Sequence, residues 1–103
     1  MNSSRLLLYS RNGCCICEGL EEKLRMLPLD ELSPSLELQV IDIDEEEIPE
    51  DLRARYDLEV PVLALDAINH HSQIDLPRVS PRLKGEGLLR WLKKVCANAI
   101  EAR

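Results

Sequence analysis

A run of consecutive apolar residues, Leu6-Leu7-Leu8-Tyr9, passes through the polar turn Arg11-Asn12-Gly13 into Cys14-Cys15-Ile16-Cys17, where a helical period begins. Consecutive apolar positions, without alternation, describe a strand covered on both faces, as inside an α/β sheet. From Cys14 onward Ile16, Leu20, Leu24 and Leu27 recur at helical spacing, with Glu18, Glu21, Glu22, Lys23 and Arg25 mostly on the other side. A buried strand that delivers thiols to the start of a helix admits few folds and few chemistries.

The rest of the chain continues the alternation. Pro28 opposes continuation of the first helix and Pro34 ends the connecting loop. Leu36 to Ile43 alternates as a second strand, with Leu36, Leu38 and Val40 on one face and Gln39, Ile41 and Ile43 on the other. Asp44 with Glu47 reads as a capping box opening a second helix that runs to about Tyr56. Val60 to Leu65 is predicted as a third strand, proline being tolerated at its first residues. Asp66 to Ser72 reads as a turn, Gln73 to Val79 as a fourth strand and Gly85 to Ile100 as a final helix. Strand-helix-strand units favour parallel pairing with right-handed crossovers, whereas the short link between the last two strands favours an antiparallel hairpin. An α/β fold follows: a four-stranded mixed sheet flanked by three helices, in the order β-α-β-α-β-β-α.

At 103 residues, 45% of them hydrophobic, the chain is expected to form one domain over residues 1–103 with a core of Leu, Val, Ile and Ala. A net charge of -6 disfavours nucleic acid and anionic membrane as main partners. The Leu6–Tyr9 run is too short for a secretory core, so the reading places the chain in the cytoplasm, where thiols stay reduced. There a C-x-x-C points to redox or metal chemistry ahead of a structural bridge.

Spacing selects the working pair. Residues three apart on a helix have Cβ atoms about 5–6 Å apart, within reach of a disulfide after slight adjustment, which fits Cys14 and Cys17. Cys14 and Cys15 are neighbours with Cα atoms only about 3.8 Å apart, and Cys15 and Cys17 do not face each other. Cys14 stands at the helix start, where free N–H groups and the positive dipole end stabilise an anion, and its sulfur can accept an N–H from Ile16 or Cys17. With positive charge from Arg11 nearby, its pKa is expected below the free value of about 8.5. Cys17, one turn in, would be the resolving thiol. The same cysteines could instead hold a thiophilic metal or cluster with an external ligand, although no second ligand pair completes a closed zinc site. A third possibility is an interaction module with incidental thiols.

The segments Leu6 to Cys17, Val40-Ile41-Asp42-Ile43-Asp44 and Tyr56 to Leu63, with Val60-Pro61, resemble the thioredoxin superfamily. Within it they are similar to the glutaredoxins and a small bacterial glutaredoxin-like family. The resemblance implies a thioredoxin-like fold and a thiol-disulfide oxidoreductase in which Cys14 attacks a substrate disulfide and Cys17 resolves it. It implies that Pro61 is cis and beside the dithiol, that the Val60 backbone pairs with an extended peptide or glutathione, and that Arg11 stands where a lysine often binds a glutathione carboxylate. It further implies no tightly bound cofactor, glutathione as a reductant, and a disulfide-bearing protein or glutathione as partner of a monomer. The chain departs from the glutaredoxin pattern in having Cys15 after the first cysteine where proline is usual. It also has Val79-Ser80-Pro81-Arg82-Leu83-Lys84-Gly85-Glu86-Gly87 in place of a glycine pair followed by an acidic residue.

Other polar features read as structural. Cys96 falls on the apolar stripe of the last helix and is expected in the core. Cys15 is open to several uses: an exposed bystander, a site of glutathionylation or a link to another chain. His70-His71 falls in a turn, and Asp42 to Glu47 lacks the glycine and spacing of a calcium loop. Arg78, Arg82 and Lys84 form a small basic group, read as a solvated face with the capacity to meet an anionic substrate.

Overall fold

Leu6, Leu7, Leu8 and Tyr9 are all buried because their strand lies inside a sheet with helices on both faces. The structure, a computed structural model, describes residues 3–32, 35–67 and 73–101. Strand β1 (Ser3–Ser10) pairs in parallel with β2 (Ser35–Asp42), from Ser3↔Ser35 to Ser10↔Asp42. On its other side it pairs antiparallel with β3 (Val62–Ala67), from Ser4↔Ala67 to Tyr9↔Val62. The short β4 (Ile74–Asp75) completes the order β2-β1-β3-β4. Three helices follow the predicted order: α1 (Cys15–Arg25), α2 (Glu50–Tyr56) and α3 (Gly85–Glu101). The result is the mixed four-stranded α/β fold expected from the alternation.

Period-two alternation sorts the side chains of the sheet into two layers. Leu6, Leu8, Leu63 and Leu65 pack with Leu20 and Leu24 of α1 and Leu88, Leu92, Val95 and Cys96 of α3. On the opposite face Leu7, Tyr9 and Ala64 pack with Ile43 and with Tyr56 of α2. The Tyr9 and Tyr56 rings meet with centroids 4.7 Å apart. Their hydroxyls enter a chain of hydrogen bonds: Tyr9 donates to Gln73, the Gln73 amide donates to Tyr56 at 3.1 Å, and Tyr56 donates to Asp75 at 2.8 Å. Arg55 closes the other Asp75 oxygen at 2.8 Å. This network ties α2 to β4, whose two ladder residues alone would hold it weakly.

Several predicted boundaries move, each for a local reason. The second helix does not begin at Asp44: residues 43–48 form turns, and Pro49 precedes the first helical residue. Proline disfavours helical backbone at the residue before it, here Ile48, and the Asp44 carboxylate is engaged by Arg11 instead of capping. The third strand starts after the Val60-Pro61 peptide and extends through Ala67, with Asp66 pairing with Arg5 at 2.6 Å. The fourth strand is much shorter than predicted, and Pro77, lacking an N–H, follows its last ladder bond from Leu76 to Leu63. Ile16, expected on the inner face of α1, is 59% exposed, and Cys17 takes the buried position. The loop before Pro34 contains an unpredicted 3-10 turn at Leu29–Glu31. Most of the predicted hairpin turn, with His70 and His71, lies outside the described residues.

Burial raises the pKa values of Tyr9 and Tyr56, the latter also through its bond to Asp75, and pushes the Cys96 thiol up to about 11. For all three the folded value exceeds the free one, so folding favours the protonated form. For Cys96 that stability is fully present below the free thiol value of about 8.5 and is lost as pH rises through about 11. Urea midpoints should therefore hold from neutrality to about pH 8.5 and fall as the pH rises beyond it toward about 11; a midpoint that climbs through the alkaline range contradicts this.

Candidate active site

The thiols sit where β1 hands over to α1. After Ser10 the chain turns through Arg11-Asn12-Gly13, with Gly13 at φ 83°, a left-handed conformation that glycine adopts without steric penalty. The Cys14 amide closes the turn onto the Arg11 carbonyl at 3.1 Å. Cys14 is then the N-cap of α1, extended at φ -88° and ψ 102°, and its Sγ accepts the Cys17 amide at 3.2 Å. A sulfur here takes the role that an oxygen of Ser or Asp usually plays, satisfying one of the free N–H groups at the helix start. The Cys14 carbonyl accepts the Glu18 amide at 3.0 Å, so the helical ladder begins at this residue.

Cys14 and Cys17 are paired as a disulfide with Cα atoms 5.2 Å apart. Cys14 is half-buried, while Cys17 is 1% exposed beneath it. Cys15 is exposed and unpaired, and Cys96 is unpaired and buried in the α3 core. Among the described residues no three of His, Cys, Asp and Glu stand together in a way that could hold a metal ion.

Arg11 is placed differently from what proximity to Cys14 suggested. Its Nε and one terminal nitrogen grip both oxygens of Asp44 at 2.8 and 3.0 Å. The same terminal nitrogen reaches Asp57 Oδ1 at 2.6 Å, and the other reaches the Asp57 carbonyl at 3.1 Å. All guanidinium nitrogens are thus committed to the loop after β2 and the end of α2. These pairs raise the Arg11 pKa and hold the Asp44 carboxyl below the usual carboxylate range. Sequence reading missed Asp44 and Asp57 as partners because they lie 33 and 46 positions from Arg11. The acidic character of the segment was the only sign available.

Val60-Pro61 is a cis peptide. Because Tyr9 pairs with Val62, Pro61 enters β3 at the sheet end from which the Cys14 turn leaves β1. The Val60 amide is already used, donating to the Tyr56 carbonyl at 3.2 Å. A cavity of about 180 Å³ adjoins Pro61 and is walled by Val62, Leu76, Pro77 and Val79. Arg78 lies at its rim, donating to the Glu59 carbonyl at 3.3 Å. Arg82 and Lys84 are exposed.

A central parallel-antiparallel sheet, α1 and α3 on one face and α2 on the other, with a C-x-x-C at the start of α1, defines a thioredoxin-like fold. The family described as Glutaredoxin-like domain (DUF836) matches residues 5–93, and the chain belongs to that family. Among solved structures, "Structure of a malarial protein" is similar over 91% of this chain and 98% of that one, at 18% identity and a TM-score of 0.57. A structural-genomics target protein from X. campestris is similar over 86% of this chain and 96% of that one, at 25% identity and a TM-score of 0.50. No curated protein matches the chain.

The contrast between the unpaired cysteines gives a direct check. Reduced, natively folded protein treated with iodoacetamide at neutral pH should be alkylated at Cys15 and spared at Cys96, which reacts only after denaturation. Equal labelling of both under native conditions contradicts the burial of Cys96.

Proposed function

We propose that the chain is a thiol-disulfide oxidoreductase working through Cys14 and Cys17. What supports this reading is the contrast between the two sulfurs. One is accessible at a helix N-terminus and accepts a backbone N–H at 3.2 Å; the other is buried within bonding reach. In the reduced protein the Cys14 thiolate attacks one sulfur of a substrate disulfide. A bond forms between them, the substrate S–S bond breaks, and the departing thiolate takes a proton from solvent. Cys17 then gives up its proton and attacks Cys14 Sγ, closing the intramolecular disulfide and releasing the second substrate thiolate. Two electrons pass from the dithiol to the substrate. A thiol reductant, glutathione among the candidates, reopens the bridge, and no tightly bound cofactor takes part.

In this reading Arg11, Val60 and Pro61 form the rim that the substrate meets. Since the Val60 amide is bonded to Tyr56, its carbonyl is the group left for strand-like contact. The proposed partner is a disulfide-bearing protein or a glutathione mixed disulfide, the proposed working form is a monomer, and the proposed setting is the reducing cytoplasm. Among the described residues no helix is long and apolar enough to cross a membrane.

Insulin-disulfide reduction should fall to the uncatalysed background in Cys14→Ser. Cys17→Ser should accumulate a covalent mixed disulfide on Cys14, seen as a mass adduct that dithiothreitol removes. Full activity in Cys14→Ser would sink the mechanism.

A further inference from the structure

The charge around the dithiol points to a class of substrate. Residues 42–59 hold nine carboxylates and two arginines, a net -7 against -6 for the whole chain, so the remainder carries a net +1. The negative field of the molecule is thus concentrated on the α2 side of the sheet. Both arginines of the segment are spent locally: Arg53 on the carbonyls of Ile43 and Glu45, Arg55 on Asp75. Among the described residues no ion pair engages Glu45, Glu46, Glu47, Glu50, Asp51 or Glu59.

This acidic side reaches the thiols through Arg11. The Arg11 backbone carbonyl holds the Cys14 amide at 3.1 Å, while its guanidinium is shared by Asp44 and Asp57 at 2.8 and 2.6 Å. One cation between two anions leaves the dithiol turn beside a net negative group, with no guanidinium nitrogen free for an incoming carboxylate. Beyond Asp57 the chain exposes Leu58, 93% accessible, and then reaches Val60-Pro61; Ile16, 59% accessible, lies between the thiols in sequence. The rim therefore offers apolar contacts beside the acidic segment, with Arg78 at the Pro61 cavity, bound to the Glu59 carbonyl, as the cation that stands against it. Glutathione carries two carboxylates and one ammonium, a net anion, and suits this rim poorly.

We propose, resting on the oxidoreductase reading above, that the Cys14–Cys17 dithiol selects protein disulfides carried on basic segments over anionic ones, glutathione disulfide included. Opposite charge raises the local concentration of a substrate at such a rim, by about 10–10³-fold in steered associations, and the effect is lost as salt screens it. The chemical step is the balanced exchange already described: the substrate S–S bond is reduced to two thiols while Cys14 and Cys17 close.

The test is a single-turnover reaction that needs no external reductant. Reduced protein is mixed with one of two synthetic peptide disulfides, identical except that lysines or glutamates flank the bridge, and Cys14–Cys17 closure is trapped by acid quench and alkylation. At an ionic strength of about 0.01 M the lysine peptide should react at least about tenfold faster, and the advantage should collapse at about 1 M, where the Debye length is about 3 Å. In Asp44→Asn/Asp57→Asn, which leaves the Arg11 charge uncompensated, the lysine-to-glutamate rate ratio should shrink; the ratio cancels any change in intrinsic thiol reactivity. Equal rates, a faster glutamate peptide or a salt-independent ratio overturns the proposal while leaving the oxidoreductase reading intact. If neither peptide closes the disulfide, the oxidoreductase reading falls, and the proposal with it.

Discussion

Strand β1 is the member on which the rest of the structure depends. It is hydrogen-bonded to β2 on one side and β3 on the other, and its side chains enter both apolar layers. Leu6 and Leu8 face α1 and α3, while Leu7 and Tyr9 face α2. A strand held in this way has no freedom to slide, because a one-residue slip would exchange its two faces. Its carboxyl end therefore fixes the turn at Gly13 and the first residue of α1. Removing a buried leucine such as Leu8 would act on fold and site together, at a cost of about 2–5 kcal/mol for truncation to alanine.

The site balances two opposed electrostatic influences. The start of α1 presents the Cys17 amide and the positive end of the helix dipole to the Cys14 sulfur. The neighbouring segment is acidic, and Arg11 does not offset it, since Asp44 and Asp57 both claim its guanidinium. What Arg11 supplies is a tie among the β1–α1 turn, the loop after β2 and the end of α2. Such partly exposed pairs add little to stability singly, but fork geometry holds their partners in a set orientation. In the proposed reaction, activation of Cys14 would rest mainly on the helix, and the acidic segment would act on what approaches.

Local pattern made the core of this arrangement legible. Four consecutive buried residues in β1, the alternation in β2 and the apolar stripe of α3 each follow from burial on known faces, and the positions of Cys14 and Cys17 follow from helical spacing. What remained hidden was set by residues distant in sequence or by proline. Asp44 looked like a helix cap because nothing nearby showed that Arg11 would take it, and Pro49 shortened α2 through its effect on Ile48. Ile16 fitted the apolar period yet points outward, because Cys14 sits one residue before the helix and the inner face begins at Cys17. The brevity of β4 was equally concealed: its support comes from Tyr9, Tyr56 and Gln73, contacts that no local window displays.

Reversible closure of one particular pair is the claim on which the functional reading stands, and a redox titration with thiol trapping tests it most directly. The protein is equilibrated across a series of thiol-disulfide buffers, alkylated, and mapped by peptide mass. A single two-electron transition is expected, in which Cys14 and Cys17 lose their free thiols together while Cys15 and Cys96 remain alkylatable after denaturation. A bridge that includes Cys15, or a Cys14 thiol that stays free under oxidising buffers, would contradict it.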